Sequence, residues 1–481
     1  MDQVERFQGF ADYYGQTLLH PLALAVTVIL MVAVLWTPRR YALVPLLLAL
    51  TTLPVAQRLV VAGADFTLFR MLLLAYLVRV LFRQEWRGIT WNRLDSAIIL
   101  WVVSGFTIMT IHYGTFDVVV NRAGWAYNII LTYFAGRFLI RQWDELLVLA
   151  KAAVVISVPM AAAFVYEWLT QYNMFHVFGG VRENTWMRDG VLRCQGPFAH
   201  PIIAGTYWSA LLPLMWMLWK GEGQSRVLVV IGTAAGLLII ASTGSSTPLL
   251  ALMAAVFGAA IFIVRDHRTK IWVGFFAGLF ILHFFVMKTP VWHLISRVDV
   301  VAGSTGWHRY AIIDAFVRNF SDWWLTGYTT PTDWAWQMRD VTNQFIGIAL
   351  SGGFLTLVLF LLVLTWAFGN VGRSLARAAA SASVERSFLD WRIWMVGVIL
   401  FIHVVTFFGL AYFGQLQGLL YLQLSFAAAV AGGLSSETHE PGVSEQGQAK
   451  ARGFGPALPS GGSRLAERSH ATFVRGGTSS R

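Results

Sequence analysis

Arginines, hydroxyls and aromatic rings collect in two polar stretches of an otherwise apolar chain. Residues 171–197 read QYNMFHVFGGVRENTWMRDGVLRCQGP and carry Arg182, Arg188 and Arg193 beside Glu183, Asp189 and the rings of Phe175, Phe178 and Trp186. The stretch runs through Gly196-Pro197 to a His200-Pro201 pair that opens a long apolar segment. Residues 289–342 carry His308, Arg309, Asp314, Arg318, Asn319 and Arg339, and Asn343 follows at once. Guanidinium groups grip phosphate oxygens bidentately, and aromatic faces stack on sugar rings. Together the two residue types point to a membrane-borne phosphate that carries a glycan. A Ser-rich turn, STGSS at 242–246, lies between the two stretches and adds Ser242 and Ser245 as hydroxyl donors.

Such groups must be positioned by membrane helices. The chain has 481 residues, 57% of them hydrophobic and only 13% charged, where soluble domains carry about 25% charged residues. Runs of about 18–20 apolar residues cross a hydrocarbon core of ~30 Å. They are expected near 18–36, 41–62, 65–82, 95–113, 118–137, 146–169, 198–219, 226–241, 247–264, 271–288, 343–368, 392–411 and 415–433. Pro54, Arg58 and Arg70 interrupt the second and third, which reads as a broken or re-entrant helix. The fold class is thus an all-α polytopic membrane protein with about 12–13 transmembrane helices.

Alternate connections are basic: 37–40, 83–93, 137–145, 220–226, 265–270 and the one holding Arg373, Arg377 and Arg386. The short connections 62–65, 114–117, 242–246 and 412–415 contain no Lys or Arg. By the positive-inside rule this alternation puts the N-terminus outside and the C-terminus in the cytoplasm, with 171–197 and 289–342 on the outer face. The net charge of +11 then reports topology, and no nucleic-acid partner is needed to explain it. The N-terminal MDQVERFQGFADYYGQ has mixed charges and no apolar core, unlike a signal peptide. Cys194 is the single cysteine, which excludes an internal disulfide and a cysteine-based metal site.

Within the second outer stretch, Trp307, Tyr310, Ile313, Phe316 and Phe320 recur at helical spacing, with His308, Arg309, Asp314 and Arg318 on the other face. This spacing predicts an amphipathic helix lying on the outer surface, anchored by Trp323, Trp324, Trp334 and Trp336. Arg122 and Arg70 fall inside apolar runs, where a charge is expected to face a polar cavity. The Gly/Ser/Pro-rich tail 434–481 is expected to be disordered.

Four segments resemble the O-antigen ligase and O-antigen polymerase superfamily of bacterial membrane glycosyltransferases. They are RCQGPFAHPIIAGTY (193–207), STGSSTPLLAL (242–252), GWHRYAIIDAFVRNFSDWWLTGYT (306–329) and TNQFIGIALSGGFLTLVLFLLVL (342–364), so the likeness covers roughly 190–365. The resemblance implies a GT-C-like bundle in the bacterial inner membrane. It also implies transfer of a glycan from a polyprenyl diphosphate carrier to an acceptor hydroxyl, without metal, nucleotide sugar or other cofactor. Arg193 and Arg309 would hold the diphosphate and Asn343 would position substrate. Arg122, Arg182, Arg188, His200, Ser242, Ser245, His308 and Arg339 would contact it. Partners would be the lipid-linked oligosaccharide donor, the glycan acceptor, membrane lipid, and polysaccharide export or chain-length proteins. Two positions depart from the pattern. Ser245-Ser246 stands where relatives often place an arginine, and Thr342 stands where the ligases carry a histidine. The missing histidine favours a polymerase of exopolysaccharide or O-antigen repeats over a ligase. His308, Asp333, Asp340 and Glu183 are the candidate bases. A transporter of lipid-linked glycans and a non-catalytic scaffold remain the readings from other classes.

Overall fold

The computed structural model describes residues 15–61, 63–221, 223–297, 306–380 and 386–434. All of them belong to the compact unit Met1–Ser436. The tail expected beyond 433 lies, Leu434 apart, outside the described residues. The described chain is almost wholly helical: α1 (Pro21–Trp36), α2 (Val44–Thr52), α3 (Leu68–Phe82), α4 (Arg93–Tyr113), α5 (Phe116–Leu139), α6 (Trp143–Thr170), α7 (Pro201–Trp216), α8 (Gly223–Ser242), α9 (Ser246–Ala260), α10 (Arg268–Ile281), α11 (Gly306–Arg318), α12 (Phe320–Trp323), α13 (Gln344–Ala380), α14 (Arg386–Phe407) and α15 (Gly414–Ala431). Two antiparallel hairpins interrupt it, β1 (Arg58–Val61) with β2 (Ala64–Thr67), and β3 (Trp186–Arg188) with β4 (Val191–Arg193). Among the described residues six stretches are long and apolar enough to cross a membrane: Arg93–Tyr113, Trp143–Thr170, Gly223–Ser242, Ser246–Val286, Gln344–Ala380 and Ser387–Phe407. The architecture is therefore an all-α polytopic one.

The basic connections meet at one end of the bundle. Arg39 and Arg40 pair with Glu145 and Asp144 at 3.1 and 3.0 Å. Arg83 donates to the carbonyls of Leu35 and Thr37, and Arg141 to those of Glu85 and Arg87. Arg137 ties Asp95 to the carbonyl of Thr90. Arg377 reaches the carbonyl of Ala431, Arg268 that of Gly372, and Arg265 the carboxylate of Asp390. Two helices start at this end with reciprocal caps, Asn92 with Asp95 on α4 and Gln142 with Glu145 on α6. The β3–β4 hairpin with Arg193 and the start of α11 with Arg309 take no part in these contacts.

The segment 41–62 departs from the expectation of a spanning helix. Within it α2 has only nine residues, about 14 Å at 1.5 Å per residue, too short for a bilayer core. Its chain stops at Leu53-Pro54, turns, and becomes β1. The broken reading of 41–82 is the one observed, and the strands were not foreseen. Arg58 explains why an arginine sits in so apolar a stretch. It is buried and donates to Asp65 across the hairpin at 3.2 Å, so neither charge is left alone.

A second break positions the far side of the site. Inside α13, Gly353 has φ of +71°, a conformation that only glycine adopts without strain. A side-chain carbon there would come within 2.5 Å of the Leu325 carbonyl oxygen. The turn after α12 enters this break, with Phe354 donating to the Trp324 carbonyl at 2.7 Å and Tyr328 to the Leu350 carbonyl at 2.9 Å. Helix α11 then packs on the short first part of α13 through Ile312, Ala315, Ile346 and Ala349. The amphipathic helix expected at 307–320 is thus α11 continued by α12, held to the bundle by a broken helix.

Candidate functional site

Arg193 ends β4, and the fold fixes it from three directions. The β3–β4 hairpin is carried on α6 through Glu167, whose carboxylate accepts the backbone N–H groups of Gln195 and Gly196 at 3.0 and 2.8 Å. Asn173 adds a bond to the Gly196 carbonyl at 2.8 Å. The N–H of Cys194 donates to the Ser242 carbonyl at 3.0 Å, which docks the hairpin on the turn between α8 and α9. That turn passes through Gly244 at φ +51°, so close to the Leu192 carbonyl that a side chain would not fit.

The result is a buried guanidinium aimed at the start of α9. Arg193 is 4% exposed, and its Nε and Nη2 donate to Ser245 Oγ at 3.2 and 2.6 Å. It forms no ion pair with a carboxylate among the described residues. Burial, with Arg188 nearby, draws its pKa down to about 10, so it stays cationic at neutral pH. Two residues further on, Thr247 Oγ1 accepts from Arg309 Nη2 at 3.1 Å. Arg193 and Arg309, from stretches more than a hundred residues apart, therefore converge on the Ser245-Ser246-Thr247 turn. Ser245 occupies the N-cap of α9 but makes no capping bond, because its hydroxyl donates back to the Thr243 carbonyl. The first turn of this fifteen-residue helix, in which Pro248 supplies no N–H, leaves its other amides and its positive dipole end beside two guanidiniums. This is the electrostatics of an anion site.

Trp186 organises the rest of the cluster. The Arg193 guanidinium lies 4.9 Å and the Arg182 guanidinium 5.3 Å from its ring centre, and His200 meets it edge-on at 5.5 Å. His200 caps α7 with its Nδ1 accepting the Ile202 N–H at 3.1 Å. Burial first, then the charges of Arg193 and Arg182, push its pKa down to about 4, so it is neutral at physiological pH. On the other side the turn between α14 and α15 carries Gly409, against which Arg309 packs, and Tyr412, whose N–H donates to Gln344 at 2.6 Å. Asn343 precedes Gln344. It is buried and caps α13, accepting the Ile346 N–H at 3.1 Å.

Of the residues singled out from sequence, Arg182, Arg193, His200, Ser245 and Arg309 come together, and Asn343 occupies the neighbouring corner. Arg188 pairs with Asp189 at the exposed hairpin tip. Ser242 turns its hydroxyl back to the Ile239 carbonyl and serves the hairpin through its backbone. His308 bonds to the Asp340 carbonyl, while Arg339 is exposed on a separate turn. Arg122, on α5, has no contact with the cluster among the described residues. Of the candidate bases, Asp333 accepts Tyr328 and Thr330 hydroxyls, and Glu183 faces His176. Glu167 and Thr247 were missed. A carboxylate inside the apolar run of α6 was the available signal for Glu167. Nothing in the sequence marked Thr247 beyond its place in the Ser-rich turn.

No family model matches the chain, and no curated protein matches it. The resemblance described above is therefore carried by the four segments alone.

Proposed function

We propose that the protein is a membrane glycosyltransferase that polymerises exopolysaccharide or O-antigen repeats. In this reading it uses a polyprenyl diphosphate-linked glycan as donor, on the extracytoplasmic face of a bacterial inner membrane, in a GT-C-like bundle. The observation that carries the reading is the pair Arg193 and Arg309 on one helix N-terminus, with Arg193 buried and lacking a carboxylate partner. A buried cation without a counter-ion is costly unless an anion arrives. A diphosphate is such an anion.

In the transfer step the acceptor hydroxyl oxygen attacks the anomeric carbon of the donor sugar. The bond from that carbon to the phosphate oxygen breaks, and the diphosphate departs with the electron pair. The hydroxyl proton passes to a basic oxygen, of the departing diphosphate or of solvent. Charge grows on the bridging and terminal phosphate oxygens as the bond breaks, and fixed guanidiniums and amides stabilise it without reorganising. His200 cannot supply a cationic acid at neutral pH because its pKa lies near 4. Arg193 and Arg309 thus act electrostatically, and proton transfer is secondary.

The test is transfer by the purified chain from a synthetic polyprenyl diphosphate oligosaccharide to an oligosaccharide acceptor. Removing a preorganised charge donor costs about 10²–10³ in kcat. Arg193→Ala and Arg309→Ala should each fall by that much while melting like the native protein. Full activity in both variants refutes the reading. Transbilayer movement of the lipid-linked glycan in vesicles, without transfer, would point to a transporter instead.

A further inference from the structure

A cavity of about 570 Å³ lies elsewhere in the bundle. It is walled by the α2–β1 turn, the β1–β2 hairpin, α3, α5 and α15, and contains neither Arg193 nor Arg309. Its volume falls within the roughly 300–1,000 Å³ of small-molecule sites.

The chemistry of its wall differs from that of the cationic cluster. Within it Arg58 pairs with Asp65, Arg70 donates to Asn128 Oδ1 at 3.2 Å and to the Asp65 carbonyl, and Asp117 adds a carboxylate. Beside them stand the carboxamides Asn121, Asn128, Gln415 and Gln417 and the rings of Phe69, Phe413 and Tyr421, while the Gln57 amide is already spent on the His20 N–H and the Phe178 carbonyl. Carboxamides both donate and accept, which fits vicinal hydroxyls, and rings cover the apolar faces of pyranoses. One acceptor stands open: Gln415 is 3% exposed, spends its Nε2 on the carbonyls of Leu53 and Pro197, and leaves Oε1 buried with no hydrogen-bond partner. A buried oxygen in that state is destabilising until a donor reaches it. On α5, Asp117, Asn121 and Asn128 share one stripe at i, i+4 and i+11, all on the cavity wall, while Arg122 lies off it.

We propose that this cavity is a carbohydrate subsite that seats sugar rings of the lipid-linked glycan. For the source of the sugar the inference rests on the glycosyltransferase reading. The link between the two sites is short: Gln415 donates a hydrogen bond to the Pro197 carbonyl at 2.9 Å in the segment that follows Arg193, and the chain from the α14–α15 turn into α15 carries both the Arg309 contact at Gly409 and the cavity residues Phe413 to Gln415. Diphosphate and glycan of one donor would be held by a single rigid corner.

A thiol placed in the wall tests this, because the one native cysteine, Cys194, is buried. Asn121→Cys and Asp117→Cys are made in the full chain in lipid nanodiscs and labelled with a fluorescent maleimide. One probe is lipid-linked glycan extracted from host membranes lacking the protein; the other is undecaprenyl diphosphate without sugar. At ten times its Kd the glycan lipid should slow labelling about tenfold, whereas the sugar-free diphosphate should leave the rate unchanged. Equal protection by both probes overturns the inference, because the cavity then takes lipid or diphosphate. So does binding of the glycan lipid, abolished by Arg193→Ala, with no protection at either cysteine; the glycosyltransferase reading survives that result. Absence of binding by either probe removes that reading, and the subsite with it.

Discussion

At the residue scale, burial sets charge around Trp186. Arg193 and His200 both lie against Trp186, and the same burial that lowers both pKa values leaves one charged and the other neutral at pH 7. For His200 the consequence is a stability slope. Its pKa is about 4 in the folded chain and near 6.5 when unfolded. Between those values the unfolded state binds the proton more readily, so stability is full above about pH 6.5 and falls as the pH drops towards 4. In His200→Asn an amide oxygen can still cap α7, and nothing titrates. The melting temperature of this variant, followed from pH 7.5 to 4.5, should fall less steeply than that of the native protein; parallel curves would show that His200 carries no part of the acid sensitivity. The arginines themselves were legible in the sequence as a set, because charge is rare in so apolar a chain. Their pairing was not. Which of Arg182, Arg188, Arg193 and Arg339 turns inward depends on the hairpin at 186–193 and on Glu167, and those contacts bring together residues that no local pattern links.

At the element scale the long helices followed from hydrophobic length, and their boundaries agree with the apolar runs to within a few residues for α4, α6 and α8. Reading failed where helices stop for tertiary reasons. The stretch 41–62 is apolar enough to pass as a span, yet Pro54 and the buried Arg58–Asp65 pair divide it into a short helix and a strand. The Gly352-Gly353 pair lay in one of the recognised segments, but its use as the socket for the turn after α12 appears only when Leu325 is seen against it. That socket has a measurable cost of disturbance. In Gly353→Ala the methyl group meets the Leu325 carbonyl at a positive φ, a strain of about 1–3 kcal/mol. Thermal denaturation in detergent should register it. Transfer activity should fall further than stability does, because the displaced turn continues from α11 and α12, and α11 carries Arg309. A variant with native stability and native activity would mean that the break does not position the site.

At the scale of the whole molecule, one end of the bundle is basic and laced by ion pairs, and the other gathers the arginine cluster, the 570 Å³ cavity and the broken helices. This polarity was readable from the alternation of Lys and Arg among the short connections, since insertion itself selects it. The location of the cavity was not readable, because the face of α5 that lines it carries Asp117, Asn121 and Asn128, which look unremarkable beside Arg122 in a linear sequence. The arrangement as a whole makes α9 a strut that presents its N-terminus to two distant chain segments at once. The most direct measurement is a double-mutant cycle on binding of undecaprenyl diphosphate to the purified chain, using Arg193→Ala, Arg309→Ala and the pair. If both guanidiniums grip one diphosphate, each single variant should weaken binding at least about tenfold. The double variant should then lose less than the sum of the two, with a coupling of about 0.5–3 kcal/mol. Native affinity in either single variant, or losses that simply add, would contradict a shared ligand at the head of α9.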